Sequence, residues 1–173
     1  MLLLELIDSL PDFNLYDEHW KMYTKSDMIR PQYIASDAVI NRAIIGEGTE
    51  VYGEVHNSVI GEGVTIEKGA VVRDSIIMKG TVVGAGTYVE KAIIAESVSI
   101  GENCRIGVGE EKPNTWKPNI YGDGLVTVGE GSVIPNAVTV GKNTVISGET
   151  CEADYPGGVL ESGESLVKAG DTQ

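Results

Sequence analysis

The chain of 173 residues is poor in the residues that most catalytic and metal sites need. It has two histidines, two cysteines and one phenylalanine. An open catalytic zinc site of the carbonic anhydrase kind takes three histidines, which this chain cannot supply. Cys104 and Cys151 match neither a disulfide framework nor a metal motif, so the sequence predicts two free thiols and no metal site.

Basic residues are also scarce, 13 against 26 acidic ones, and the formal net charge is −13. A surface this acidic repels nucleic acid and anionic membranes, so we expect neither as a partner. No apolar run is long enough to span a membrane, and the stretch from Met1 to Leu10 lacks the basic leader of a signal peptide. A Gly-rich phosphate loop between a strand and a helix is missing as well. We therefore expect a cytoplasmic protein with no bound cofactor.

What the chain does have is an internal repeat between Asn57 and Gly107. Its three copies have equal length and read NSVIGEGVTIEKGAVVR, DSIIMKGTVVGAGTYVE and KAIIAESVSIGENCRIG. Within each copy a branched aliphatic residue recurs about every six positions, and a small or β-branched residue follows it four positions later. A period of six fits neither a helix nor a long strand, but it is typical of short strands broken by regular corners. Such self-similarity predicts a β-solenoid.

Three short sides make one coil, and stacked coils about 4.8 Å apart enclose the aliphatic columns in a triangular prism. The predicted interior residues are Ile60, Ile66, Val72, Ile77, Val83, Val89, Ile94, Ile100 and Ile106, with the small partners Val64, Ala70, Thr81, Thr87, Val98 and Cys104. The predicted corner glycines are Gly61, Gly63, Gly69, Gly84, Gly86 and Gly101. A shortened coil from Arg42 to His56 comes earlier, and the strict period returns at Val128, Ile134, Val140 and Ile146. The predicted class is all-β, a parallel β-helix of hexapeptide repeats.

Around the repeats the sequence predicts further segments. Residues 1–33 form a linker that begins with a short amphipathic helix, whose apolar face carries Leu3, Leu6, Ile7 and Leu10. The β-helix covers residues 34–151 and is interrupted by a loop at residues 108–125, which contains two prolines and Trp116. This loop either carries function or packs as an excursion on the scaffold. Residues 152–173 read as a polar tail.

No group of residues makes a self-sufficient active site, so no catalytic residue is predicted. His56 lies near a corner, where a hexapeptide acyltransferase would place its base in a groove between subunits. The simpler interpretation of His56 is a solvent-facing turn residue, because no neighbour in the sequence looks like an orienting partner. Acidic residues at equivalent outward positions read as solvated decoration of the repeat: Glu47, Glu62, Glu102 and Glu130.

Four stretches resemble the C-terminal region of bacterial glucose-1-phosphate adenylyltransferases. They are YDEHWKMYTKSDMIRPQYI, GTEVYGEVHNSVIGEGVTIEKGAVVRDSIIM, EKAIIAESVSIG and VGEGSVIPNAVTVGKNTVI. The more specific parts are Asp17 to Trp20 with Tyr23 and Thr24, and the coil from Gly53 to Ile60. This resemblance implies that the β-helix is left-handed, which the general preference for right-handed crossovers does not predict.

In that family an N-terminal catalytic domain binds ATP, Mg²⁺ and glucose 1-phosphate, and makes ADP-glucose and pyrophosphate for glycogen synthesis. The resemblance implies that this chain begins at the helix that follows that domain, so we expect it to be an inactive fragment. It also implies that the β-helix packs on its own catalytic domain, joins subunits into tetramers, and borders clefts for phosphorylated metabolites.

Anionic effectors need basic residues at such a cleft. The candidates on the coils are Arg42, Lys68, Arg73, Lys79 and Arg105. The resemblance places Glu96 and Glu130 where plant relatives have effector-site lysines, so a plant-like site is not expected. Two other functions stay open, a stand-alone hexapeptide acyltransferase and a purely structural scaffold.

Overall fold

Short parallel strands wind around a three-sided axis in the computed structural model, which describes residues 2–7, 19 and 29–168. In chain order the strands are β1 Tyr33–Ile34, β2 Val39–Ile45, β3 Glu50–Val51, β4 Glu54–Ile60, β5 Thr65–Ile66, β6 Val71–Arg73, β7 Ile76–Ile77, β8 Val82–Val83, β9 Tyr88–Glu90, β10 Ala92–Ile94, β11 Ser99–Ile100, β12 Arg105–Val108, β13 Val126–Val128, β14 Val133–Ile134, β15 Thr139–Gly141, β16 Val145–Ser147, β17 Val159–Leu160 and β18 Ser165–Val167. Three 3₁₀ helices span Leu2–Ile7, Glu152–Asp154 and Pro156–Gly158.

The strands stack into the three sides of a prism. Side 1 consists of β1, β3, β5, β8, β11 and β14. Strands β2 and β4 are longer and continue around a corner, so each contributes to sides 2 and 3. Side 2 continues with β6, β9, β12, β15 and β17, and side 3 with β7, β10, β13, β16 and β18. This architecture confirms the predicted β-solenoid and agrees with the left-handed β-helix implied by the resemblance.

The register between coils follows the repeat seen in the sequence. Thr65 pairs with Val82, and Val82 with Ser99, each time one full repeat further along the chain. The shortened coil is also confirmed, because Ile45 pairs with Ile60, which is two positions short of a full repeat. Across the loop the step doubles, since Ser99 pairs with Val133. The loop at residues 108–125 is therefore an insertion as long as one coil, made at the corner between sides 2 and 3.

The predicted columns form the core, since every one of those aliphatic side chains is buried. Two threonines at the small positions lie in the core too, and both satisfy their hydroxyl groups. Oγ1 of Thr81 donates to the carbonyl of Ala95 at 2.8 Å, and Oγ1 of Thr87 donates to that of Gly101 at 2.7 Å. Each hydroxyl also accepts a backbone N–H from the following coil. These residues therefore join neighbouring coils through the interior without leaving a buried polar group unpaired.

The predicted corner glycines divide into two kinds. Gly63, Gly69 and Gly86 adopt φ between +63° and +72°, a conformation that side chains rarely take. Gly61, Gly84 and Gly101 lie where a Cβ would collide with the backbone or side chain of the following coil. The corner between sides 2 and 3 instead places non-glycine residues at φ near +47°: Asn57, Asp74 and Lys91.

The solenoid extends further at its C-terminal end than the sequence indicated. At the N-terminal end, β1 pairs with β3 within one residue of the predicted start at residue 34. Past residue 151, where a tail was predicted, β17 pairs with β15 and β18 with β16. The register step from Thr139 to Val159 is three positions longer than a full repeat, so the final coil departs from the hexad spacing.

The first 3₁₀ helix lies in the predicted amphipathic segment and contacts β2 and β4. The other residues of the predicted helix, and residues 11–18 and 20–28 of the predicted linker, lie outside the described residues. Among the described residues, no helix has the length and the apolar side chains that crossing a membrane requires.

Candidate functional site

The outer face of side 2 brings together two of the basic residues predicted for an effector cleft, Arg73 and Arg105. Side chains alternate along a strand, so the neighbours of the buried Val72 and Ile106 point outward. The register sets Arg73 beside His56 on one side and Glu90 on the other. Arg105 lies beside Tyr88 in the adjacent column.

Acidic and basic groups alternate on this face. The guanidinium carbon of Arg105 lies 5.6 Å from the ring centroid of Tyr88, which is a cation–π distance. Partial burial raises the pKa of Tyr88, and the carboxylate of Glu90 acts in the same direction, whereas Arg73 and Arg105 oppose it. Tyr88 therefore lies near two arginines and one carboxylate, which act on its pKa in opposite directions.

The other candidate cations lie elsewhere. Nζ of Lys68 is 3.5 Å from Asp37 at the corner between sides 1 and 2, and Nζ of Lys79 is 3.4 Å from Glu62 at the corner between sides 3 and 1. Arg42 is exposed at the third corner. The five residues proposed from sequence thus do not converge on one cleft.

His56 has a partner that sequence reasoning missed. Its Nε2 lies 3.2 Å from Oε2 of Glu54, two residues earlier on the same outward face of β4. A carboxylate at this distance can orient an imidazole that acts as a base. The alternation of the strand, with Val55 buried between the two, is the signal that could have revealed this pair.

The insertion is fastened to the solenoid by Asn114, whose side chain is only 2% exposed. Its Nδ2 donates to the carbonyl of Asn143 at 2.8 Å and to Oγ of Ser165 at 3.0 Å. Its Oδ1 accepts the backbone N–H groups of Trp116 and Lys117, both at 2.9 Å. One amide group therefore shapes the turn and holds it on the coils.

The aromatic side chains of the insertion pack on each other. The rings of Trp116 and Tyr121 stack with centroids 6.1 Å apart, and Nζ of Lys117 lies 3.9 Å from the centre of the Trp116 ring. The indole is therefore engaged within the loop. Trp116 and Ile120 are both exposed apolar residues of this loop, and Ile120 is the more exposed, with 67% of its surface accessible.

A cleft of about 310 Å³ lies between the first limb of the insertion and the last two coils. Residues 108–110 and Lys112 form one wall, Thr139 and Gly141 the floor, and residues 159–162 the other wall. Nζ of Lys112 is 3.9 Å from Oε2 of Glu161 across it. The volume suits a small ligand, but the charged groups at the cleft, Glu110, Lys112 and Glu161, do not single out one class of ligand.

Histidine, cysteine and carboxylate groups do not gather in threes around any point of the described chain that could hold a metal ion. The thiols are free, with Cys104 buried and Cys151 exposed. Burial raises the pKa of Cys104, and its Sγ lies 3.0 Å from the carbonyl oxygen of Pro135, so this thiol is a core residue.

Comparison with known proteins matches residues 25–128 to the family described as GlmU-like, C-terminal hexapeptide. A glucose-1-phosphate adenylyltransferase of Lachnospira eligens is 66% identical over 97% of this chain. Proteins of the same name from Acetivibrio thermocellus and Thermotoga maritima are 39% and 49% identical, over 98% and 95% of the chain. The chain spans about 40% of the length of these relatives.

Proposed function

We propose that this chain, which belongs to the GlmU-like, C-terminal hexapeptide family, serves as the β-helix region of a glucose-1-phosphate adenylyltransferase. The intact enzyme would make ADP-glucose and pyrophosphate from ATP and glucose 1-phosphate in the cytoplasm, for glycogen synthesis. Its ATP and Mg²⁺ would bind in a catalytic region outside this chain. The β-helix would join subunits into a tetramer and transmit regulation.

The observation that carries this proposal is the 66% identity to the Lachnospira eligens relative, which extends over 97% of this chain and 40% of that protein. Identity at this level argues for the same role in the same kind of enzyme.

The exposure of interior positions at the N-terminal end of the prism supports the proposal of a partner domain. Ile34 and Ile40 occupy interior columns, yet they are 41% and 38% exposed, whereas Val51 and Val55, their neighbours in the next coil, are fully buried. Exposed interior positions at the end of a solenoid call for a cap. We propose that the enzyme's own catalytic region contacts this end.

Effector binding would involve the outer face of side 2. Arg73 and Arg105 lie on that face, and anionic groups of phosphorylated metabolites bind best to arginine. The intact enzyme would then lose its response to such metabolites in the double variant Arg73→Ala and Arg105→Ala. The variant Lys68→Ala is the control, since Lys68 is paired with Asp37 at a separate corner.

An activity assay tests the main proposal. The chain alone should form no ADP-glucose from ATP, Mg²⁺ and glucose 1-phosphate. A chimaera that joins the unmatched part of the Lachnospira eligens enzyme to this chain should be active and tetrameric. Turnover by the chain alone, or an inactive and monomeric chimaera, would contradict the proposal.

A second candidate, a hexapeptide acyltransferase, draws on the His56 to Glu54 contact of 3.2 Å. It requires a trimer with His56 in a groove between subunits. Calorimetry with acetyl-CoA should then show binding to the chain, and acyl transfer should disappear in His56→Ala. An absence of binding at millimolar acetyl-CoA excludes this function.

A further inference from the structure

The last coil of the solenoid is weakly held by its own strands. Here the terminal coil denotes residues 159–168, which include β17 and β18. β17 has two residues and β18 has three, and each pairs with a single neighbouring strand. Side 1 has no strand in this coil, because the two short 3₁₀ helices between residues 152 and 158 take its place. A terminal repeat with so few partners needs further contacts to stay in place.

The insertion supplies those contacts. We call residues 109–125 the clasp, because they cross from β12 over the last two coils and return to β13. The backbone N–H of Thr115 donates to the carbonyl of Gly163 at 2.8 Å, and the Thr115 hydroxyl donates to the same oxygen at 3.1 Å. Nδ2 of Asn114 reaches Oγ of Ser165 at 3.0 Å.

Gly163 shows how closely the two segments approach. Its φ is +82°, and a Cβ at this position would collide with the carbonyl of Pro113 in the clasp. A side chain there would therefore strain the backbone and also push the clasp away. The terminal coil is shaped to accept the clasp at this point.

The base of the clasp is anchored separately. Asn143, in the coil before the terminal one, donates from Nδ2 to the carbonyl of Lys112 at 2.8 Å. Its Oδ1 accepts the N–H of Gly124 at 2.8 Å. Both limbs of the clasp are thus tied to the body of the solenoid by one side chain, while the tip of the clasp holds the terminal coil.

We propose that the clasp and the terminal coil form one cooperative unit, which opens and closes as a whole against the rest of the solenoid. Each segment buries polar groups of the other, so neither keeps its hydrogen bonds when the other leaves. The cleft between Lys112 and Glu161 has one wall from each segment, and it exists only while the unit is closed.

Hydrogen exchange of the whole chain, followed by mass spectrometry, tests this coupling. Asn114→Ala removes the bonds to Ser165 and to the Asn143 carbonyl, and it should speed exchange about tenfold in residues 112–125. Because the unit is cooperative, residues 159–168 should speed up by the same factor. Peptides from residues 58–106 should not change.

The reciprocal variant acts from the other side. Leu166→Ala alters only the terminal coil, where Leu166 packs against the core, and it should speed exchange in residues 112–125 as much as in 159–168. Ser165→Ala removes a single bond to Asn114 and should give the same pattern with a change of about threefold. Asn119→Ala is the matched control, since this asparagine is exposed in the clasp, and both segments should keep their rates.

The proposal is overturned if Asn114→Ala affects the clasp alone, or if Leu166→Ala affects the terminal coil alone. It is also overturned if either variant raises exchange equally in residues 58–106, because the two segments would then not form a separate unit.

Discussion

The two ends of the solenoid differ in how they finish the same stack. At the N-terminal end of the described coils, interior positions such as Ile34 and Ile40 are accessible to solvent. At the C-terminal end, Tyr155 covers the core from a turn between two 3₁₀ helices, and its hydroxyl lies 3.1 Å from Oγ1 of Thr150. Oγ1 of Thr150 also lies 3.0 Å from the carbonyl oxygen of Val133, so this hydroxyl links the cap to β14. Among the described residues, interior positions are therefore accessible at one end, whereas the chain itself covers the other.

Truncating an interior isoleucine at each end should give the largest contrast. Ile146→Ala, in the buried column near the closed end, should lower the free energy of unfolding by about 3 kcal/mol, since it leaves a cavity. Ile34→Ala should cost less than about 1 kcal/mol, because that side chain is already part exposed. Urea unfolding of the isolated chain measures both. Equal losses would mean that the N-terminal end is as well covered as the other.

The tyrosine cap can be tested by removing one atom. Tyr155→Phe keeps the ring in the core but leaves Thr150 without its Tyr155 partner, so we expect a loss of about 1 kcal/mol by urea unfolding. The control Tyr33→Phe, on an exposed ring at the open end, should be close to neutral. Burial raises the pKa of Tyr155 to about 12, so the absorbance change of its phenol should occur at a higher pH than that of an exposed tyrosine. An ordinary tyrosine titration curve would contradict the burial of the cap.

The ion pair at the closed end should give the smallest effect, and this effect should disappear at low pH. Nζ of Lys168 lies 2.6 Å from Oδ2 of Asp154, and this hydrogen bond, with the N–H of Cys151, lowers the pKa of Asp154 to about 2. A folded-state pKa below the unfolded value gives stability that is present above about pH 4 and is lost as the pH falls towards 2.

Thermal midpoints measured between pH 5 and pH 2 test this window. The midpoint of Asp154→Asn should fall below that of the wild type at pH 5, and the difference should shrink as the pH approaches 2. Glu130→Gln, at an exposed corner, serves as the control and should show a constant difference. If the difference in thermal midpoint between Asp154→Asn and the wild type stays constant across this pH range, the ion pair has no such role.

Sequence reasoning recovers the parts of the fold that repeat. Ile60, Ile77 and Ile94 follow one another at one full repeat and occupy one buried column, because the same inward position returns once per coil. It also recovers the insertion, since prolines and a tryptophan interrupt the hexads at residues 108–125. In a solenoid each repeat contacts mainly the neighbouring repeats, so the period of the sequence is enough to predict which residues lie in the core.

The final coil and the anchors of the insertion were not predictable in the same way. Strand β17 follows a register step longer than the repeat, so the aliphatic pair Val159 and Leu160 falls out of phase with the earlier hexads. Asn114 bonds to Asn143 and Ser165, which lie far along the chain, and no local pattern indicates such partners. Three of the five effector candidates, Arg42, Lys68 and Lys79, lie at separate corners, because a list of basic residues contains no information about which part of the coil each one occupies.

Binding through the N-terminal end is the most direct test of the account. Sedimentation velocity of this chain mixed with the unmatched part of the Lachnospira eligens enzyme should show a stable complex. Ile34→Asp, at the open end, should abolish it, whereas Val159→Asp, an exposed valine at the closed end, should leave it intact. A complex that survives Ile34→Asp but is lost in Val159→Asp would contradict the assignment of the open end to the catalytic partner.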